Sequence, residues 1–198
     1  MTITNSNKKR RRRSPAEARQ IALQEARTLL LESGPEAITL KAVAGKLDMA
    51  HGTIAHHFGS AAGLQAALAE AMTRDLVTTV EQAILELREG TVERRSIIDL
   101  VFDGFDEDGA GRLIAWLASS GHRELLTPLC ETVAELVSVL QSHGDSQYKR
   151  EQAALTVLLV LLPALGDSLL GTKLHLALSL DRNAYRNLVT DQLNIHRS

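Results

Sequence analysis

The sequence predicts an all-α protein of about nine helices, and three observations carry that prediction. Apolar residues recur three and four apart along most of the chain, no run alternates apolar and polar residues between hairpin turns, and no repeat occurs at solenoid periods. Composition agrees. With 44% apolar and 23% charged residues the chain has the make-up of a folded soluble protein, and with 3% aromatic residues its core must rest on Leu, Val, Ile and Ala. A single cysteine, Cys130, excludes an internal disulfide framework and a Cys-rich zinc module.

Taken in order, the chain begins with a polar stretch and then the run Lys8, Lys9, Arg10, Arg11, Arg12 and Arg13. No apolar h-region follows, so this is not a secretory signal, and a cytoplasmic protein is expected. Six adjacent cations repel one another and do not fold alone, whereas against a phosphate backbone they release counterions and strengthen binding. Ser14-Pro15-Ala16-Glu17 has the spacing of a capping box, which starts a helix with Pro at its first position. Ala18, Ile21, Ala22, Ala26, Leu29 and Leu30 follow on one face until Gly34-Pro35 ends it. Thr39 caps a short helix over 40–47, with Leu40, Val43, Ala44 and Leu47 turned inward. Asp48-Met49-Ala50 separates it from another short helix over 52–58, in which Ile54 and Phe58 fall four apart. Two short helices joined by about three residues make a helix-turn-helix.

Beyond Gly59-Ser60 the helices lengthen. Leu64, Leu68, Met72, Leu76, Val80, Ile84 and Leu87 mark one up to Glu89, and successors are expected over 92–105, 112–119, 124–140, 149–170 and 183–195. The resulting division is an arm over 1–13, a helix-turn-helix domain over 14–60 and a helical body over 61–198. Residues 153–165 are apolar except Thr156 and Pro163, but Gly166 and Asp167 interrupt the run before the ~20 residues a membrane span needs. A buried or interface helix is expected there, with Pro163 kinking or breaking it.

The run from Ala37 to Phe58 closely resembles the signature of the tetracycline-repressor (TetR/AcrR) family. Its specific core is Val43-Ala44, then Gly52-Thr53-Ile54, then Phe58, preceded by a capped amphipathic helix ending in Gly. The resemblance covers roughly residues 15–68; beyond them only helix number and length fit. It implies that the helix after the turn enters the major groove of double-stranded DNA at a palindromic operator. The DNA-contacting candidates are then Lys41, His51, Gly52, Thr53, His56 and His57, together with the arm Lys8 to Arg13. A glycine at 52 lets backbone approach a phosphate or base edge closely, and a lysine can bind guanine or phosphate. Each histidine is also readable as an exposed or capping residue. The sequence departs from the family at Ala55 and His57, where tyrosines are usual, and at Ala61, where lysine is common, so the arm is expected to supply the missing phosphate contacts.

The resemblance further implies a body that binds a small-molecule effector and forms a homodimer through its last two helices. Leu158, Leu159, Leu162 and Leu165 are the expected interface. Candidate effector-binding residues are Phe102, Phe105, Trp116, His122 and Cys130, each also readable as core or surface. Asp103, Asp106, Glu107 and Asp108 hint at a calcium loop, but every register lacks its closing Glu, so a solvated inter-helix loop is expected. No enzyme, metal site or cofactor is indicated. Gly166 to Lys173 resembles a phosphate loop with Thr and Lys in the wrong order, no HExxH pair occurs, and Cys130 lies in no nucleophile signature. The sequence therefore points to a ligand-responsive repressor. The alternative is an all-helical small-molecule-binding protein without specific DNA recognition, raised by Ala55 and Ala61.

Charge sharpens this reading. Through Ser60 the chain holds ten Lys/Arg against five Asp/Glu, but six of the ten cations lie in the arm, so residues 14–60 carry four against five. The arm, not the folded head, holds most of the attraction for a polyanion.

Overall fold

The computed structural model describes residues 14–143 and 150–195, and the basic arm lies outside them. Helix α1 (Pro15–Ser33) opens on the expected capping box. The Ser14 hydroxyl accepts the Glu17 amide at 3.2 Å, and the Glu17 carboxylate accepts the Ser14 amide at 2.7 Å. After a single 3-10 turn, α2 (Leu40–Lys46) is capped by the Thr39 hydroxyl, which accepts the Ala42 amide at 3.1 Å. Helix α3 (His51–Phe58) follows the turn and buries Ile54 and Phe58.

Helix α4 (Ala61–Glu89) has 29 residues, about 43 Å at 1.5 Å per residue, and so spans head and body. Its cap is Ser60, whose hydroxyl accepts the Gly63 amide at 3.0 Å. A Cβ at Gly63 would collide with the Phe58 carbonyl oxygen, so the last turn of α3 can lie on the first turn of α4 only because this residue is glycine. The body continues with α5 (Arg94–Asp106), α6 (Ala110–Ser119), a 3-10 turn over Arg123–Leu126, α7 (Thr127–His143), α8 (Arg150–Gly166), α9 (Thr172–Leu178) and α10 (Ala184–Ile195).

A π turn, Asp167–Gly171, joins α8 to α9 in one helical rod, Arg150–Leu178. Counted as one, the rod brings the number of α-helices among the described residues to nine, with no strand among them. Two expectations need correction here. The helix does not end at Leu170 but runs on to Leu178: Asp167 is nearly buried, its carboxylate 3.5 Å from His175 Nε2, and the room beside it exists because Gly171 has no side chain. Nor does Pro163 break the rod. It removes one ladder bond inside α8, and the departure from regular α geometry comes four residues later as the π turn.

The packing is organised in three apolar clusters. In the first, Leu29, Leu30 and Ile38 of the head meet Leu64, Leu68 and Met72 of α4 and Leu113 and Leu117 of α6. A second joins Ile98, Phe102 and Phe105 of α5 to Ala164 of α8 and Val189 of α10. The third is a seam between α7 and α8 around Val137, Ala153 and Val157.

The acidic run at the end of α5 is not the solvated loop the sequence suggested. Asp103 pairs with Arg186 at 2.7 Å, Asp106 with Arg182 at 2.7 Å and Asp108 with Arg27 at 2.9 Å. The partners come from α10, the turn before it and α1, remote in sequence and so invisible to local patterning. Arg186 is buried, lies over the Phe102 ring at 5.1 Å and also reaches Asp99 at 3.1 Å. Burial alone would lower its pKa. Hydrogen bonds to Asp103 and Asp99, and the field of the two carboxylates, outweigh that and raise it above the ordinary arginine value.

A folded pKa above the unfolded one means that this contribution is fully present from neutral pH up to the ordinary arginine range and, on the alkaline side, is lost only in strong alkali. Replacing Arg186 by Met should destabilise the fold by about 2–3 kcal/mol, measured by chemical denaturation at neutral pH. The cost falls below that of a fully buried pair because the Asp99 and Asp103 side chains remain 35% and 46% exposed.

Candidate nucleic-acid interface and ligand cavity

Helix α3 is two-faced. Ile54 and Phe58 anchor it in the head, while His51, Gly52, Thr53 and His56 are exposed and Ala55 and His57 half-buried. Its cap residue, Ala50, offers no side-chain acceptor, so first-turn amides and the positive end of the helix dipole are left toward the outside, where a phosphate is favoured. The two lysines of α2 are sorted by their partners. Lys46 turns back to Glu32 at 3.4 Å and Glu25 at 3.7 Å on α1, whereas Lys41 is exposed in the first turn and makes no ion pair among the described residues. The His57 ring leans on Phe58, with centroids 6.2 Å apart, and His56 sits edge-on to His57 at 5.9 Å.

Two further residues shape this face without having been singled out in the sequence. Arg19 of α1 is exposed and places its guanidinium over the Phe58 ring at 5.2 Å, next to α3. Its local signal was only a charge on the outer side of an amphipathic helix, which any solvated arginine gives. Gln65 of α4 is buried, and its Nε2 donates to the carbonyls of Pro35 at 3.0 Å and Ile38 at 3.2 Å. It thereby fixes the α1–α2 connection and the placement of Lys41 just after it.

The body holds a partly open cavity of about 1640 Å³ between α4, α5, α7 and α8, larger than the ~300–1000 Å³ common for ligand pockets. Its walls are largely aliphatic, including Val80, Ile84, Ile97, Leu136 and Leu161, and among the described residues Phe105 is the one aromatic lining residue. Thr73, Thr79, Gln152 and Thr156 provide uncharged polar atoms, and Arg27, Asp75 and Asp108 stand together where the wall meets the head.

The tetR family of bacterial regulatory proteins matches residues 22–68. The amino-terminal domain belongs to that family. This TetR domain is a DNA-binding helix-turn-helix of the kind found in transcriptional regulators. The whole chain shares its fold with the multidrug binding protein EbrR, seen in complex with imidazole, at 18% identity and a TM-score of 0.63 over 88% of this chain and 94% of that one. It is also similar to a TetR-family transcriptional regulator from Pectobacterium atrosepticum, at 19% identity and a TM-score of 0.61 over 92% and 95% of the two chains. At these identities the likeness concerns the fold. No curated protein matches the sequence.

Within this TetR-type fold the other sequence candidates separate. Phe105 lies in the cavity wall. Phe102 is 1% exposed and packs behind that wall beneath Arg186. Trp116 is part-exposed in a shallow crevice with Leu31, Pro35 and Arg112, and His122, beside Glu124, and Cys130 are exposed outside the cavity. A helical period places aromatic and polar residues on a helix but does not say which face meets a void. Of the four expected interface leucines, Leu158 and Leu162 are exposed at 45% and 56%, and Leu158, Leu159 and Leu165 line the cavity, which leaves Leu162 alone wholly outside it.

Gln65→Leu keeps the volume but takes the side-chain donor from the buried Ile38 carbonyl and leaves the Pro35 carbonyl with the Ile38 amide alone. It should cost about 2 kcal/mol or more in thermal unfolding, while Gln65→Glu, which cannot donate, should not restore the loss.

Proposed function

We propose that the chain is a homodimeric, ligand-responsive transcriptional repressor of the cytoplasm that holds a palindromic operator with its two heads and releases it when a small molecule fills the body. The observation that carries this reading is the sharing of α4: its first half is core of the TetR head, and its second half is wall of the cavity. A ligand that prefers one arrangement of this helix shifts the heads by the difference in its affinity for the two states. The wall chemistry favours a bulky, largely aliphatic effector with few polar groups.

The second copy is expected on the rod Arg150–Leu178. By length and composition this segment could cross a membrane, and only 17% of its most apolar stretch is buried in the subunit. A core helix of a soluble protein would be mostly covered. Leu155, Leu158, Leu162, Leu169, Leu170 and Leu174 instead leave 45% or more of their surfaces open, enough to seed an isologous interface. Dimerisation accounts for this surface together with a DNA-binding head, which a membrane span does not. The alternative, a helical ligand-binding protein without specific DNA recognition, draws on Ala55 and Ala61, where family members place phosphate-contacting side chains.

Gel-shift titration against the DNA upstream of the protein's own gene, at several salt concentrations, separates the two readings. The repressor should favour one site over bulk DNA by ~10³ or more, and Thr53→Ala should weaken that site selectively. Equal affinity for all DNA would favour the alternative. Deleting residues 1–13 should lower the salt slope of log affinity by up to about 11, the counterion release of the six cations on each of the dimer's two arms, and leave the ranking of sequences unchanged.

Leu158→Arg combined with Leu162→Arg should convert the dimer to monomers by sedimentation and abolish operator binding at dilute concentrations. Retained dimers would place the interface elsewhere.

A further inference from the structure

Among the described residues Arg27 is the one from the head on the cavity wall; every other described lining side chain comes from α4 or beyond. It stands on α1, two and three residues before Leu29 and Leu30, which fill the first apolar cluster. One terminal nitrogen, Nη2, is 2.9 Å from Asp108, and the other, Nη1, is 3.9 Å from Asp75 of α4. Asp108 follows the cavity residue Phe105 by three positions and directly precedes Gly109, which has φ of 80° and caps α6. A Cβ added at Gly109 would stand 3.4 Å from the Leu30 side chain, so the α5–α6 turn lies against α1 as well as being ion-paired to it.

We propose that the Arg27–Asp108 pair, backed by Asp75, is the latch that sets the angle of the DNA-binding head from the position of the cavity wall. The proposal rests on the repressor reading and identifies the residue that couples its two sites. Movement of the last turn of α5, the segment carrying Phe105, displaces Asp108 directly. Arg27 then either follows, turning α1 and the head with it, or lets go and frees the head. Arg27 is 37% exposed and Asp108 53%, so water is at hand to solvate both charges and the pair can open. An ordinary part-exposed ion pair would join any two neighbouring loops. This one joins the head directly to residues of the effector wall.

The test uses the full-length dimer and the operator fragment found by gel shift. Asp108→Asn should lower operator affinity ~3–10-fold, because a head free to pivot is no longer pre-organised for two successive grooves. That sign is diagnostic, since removing a negative charge would by itself strengthen attraction to DNA. Arg27→Gln should show the same loss, and the exchanged pair Arg27→Asp with Asp108→Arg should recover most of it. Unchanged or increased affinity in Asp108→Asn, or no recovery in the exchanged pair, overturns the latch.

A DNA-free measurement runs beside it. The single tryptophan, Trp116, lies in the crevice between the end of α1 and α6, so acrylamide quenching should rise in both single variants and fall back in the exchanged pair. If wild type has no specific operator but the quenching pattern appears, the repressor reading fails and the latch stands. If the operator is bound but neither affinity nor quenching changes, the latch fails alone.

Discussion

Leu30, Ile38, Leu64, Leu68, Leu113 and Leu117, each at most 2% exposed, come from the head, α4 and α6 and close into one apolar cluster, and the rest of the subunit is arranged around that closure. Full burial of such a side chain is worth about 1.5–3 kcal/mol, so the set contributes on the order of 10 kcal/mol before entropy is charged against it. The part-exposed ion pairs at the same junction are each worth about 1 kcal/mol or less. Separation of the head from α4 and α6 is therefore costly, whereas a small pivot that keeps leucines in contact and exchanges polar partners is cheap. The fold permits rotation of the head and resists its detachment.

That asymmetry explains why α4 matters at both ends. Its first turns are held by the Ser60 cap, by the close seat of Gly63 on Phe58 and by Gln65 bound to two carbonyls of the head. Its later turns place Val77, Val80 and Ile84 on the cavity. Between these regions the α-helical ladder is continuous, with no interior Pro or Gly from Leu64 to Glu89. Such a helix transmits a displacement as a rigid lever, and Gly104, whose added Cβ would stand 3.1 Å from Leu76, lets α5 press close against its middle.

What the sequence showed and what it hid divide along the range of the interactions. The capping box at Ser14, the Thr39 cap, the helix-turn-helix spacing and the two-faced α3 are written within four residues of one another, and local geometry follows from local chemistry. The run of the rod past Leu170, where the sequence ended the helix, goes with a nearly buried Asp167–His175 pair whose members stand eight residues apart, beyond the reach of local patterning. The partners of Asp103, Asp106 and Asp108 lie on α10, the turn before it and α1, so an acidic run that looks solvated is in fact three tethers. Cavity membership was the least legible feature. Trp116 and Leu159 sit in equally helical surroundings, and only the crossing of four helices decides which of them meets the void.

The charge distribution adds a constraint on how such a head engages DNA. Residues 14–60 carry four Lys/Arg and five Asp/Glu, and Lys46 is already committed to Glu25 and Glu32. In the proposed complex the folded head then brings little long-range attraction: Lys41, Arg19 and the open amino end of α3 act at contact distance, and Ala55 and Ala61 add no charge. Long-range attraction must come from the six cations of the arm. Separating the two contributions has a physical consequence, since counterion release from the arm is indifferent to base sequence while the α3 contacts are not. Rising salt would weaken specific and bulk binding together through the arm, leaving their ratio to the few side chains of α3 and to the angle at which the shared core presents them.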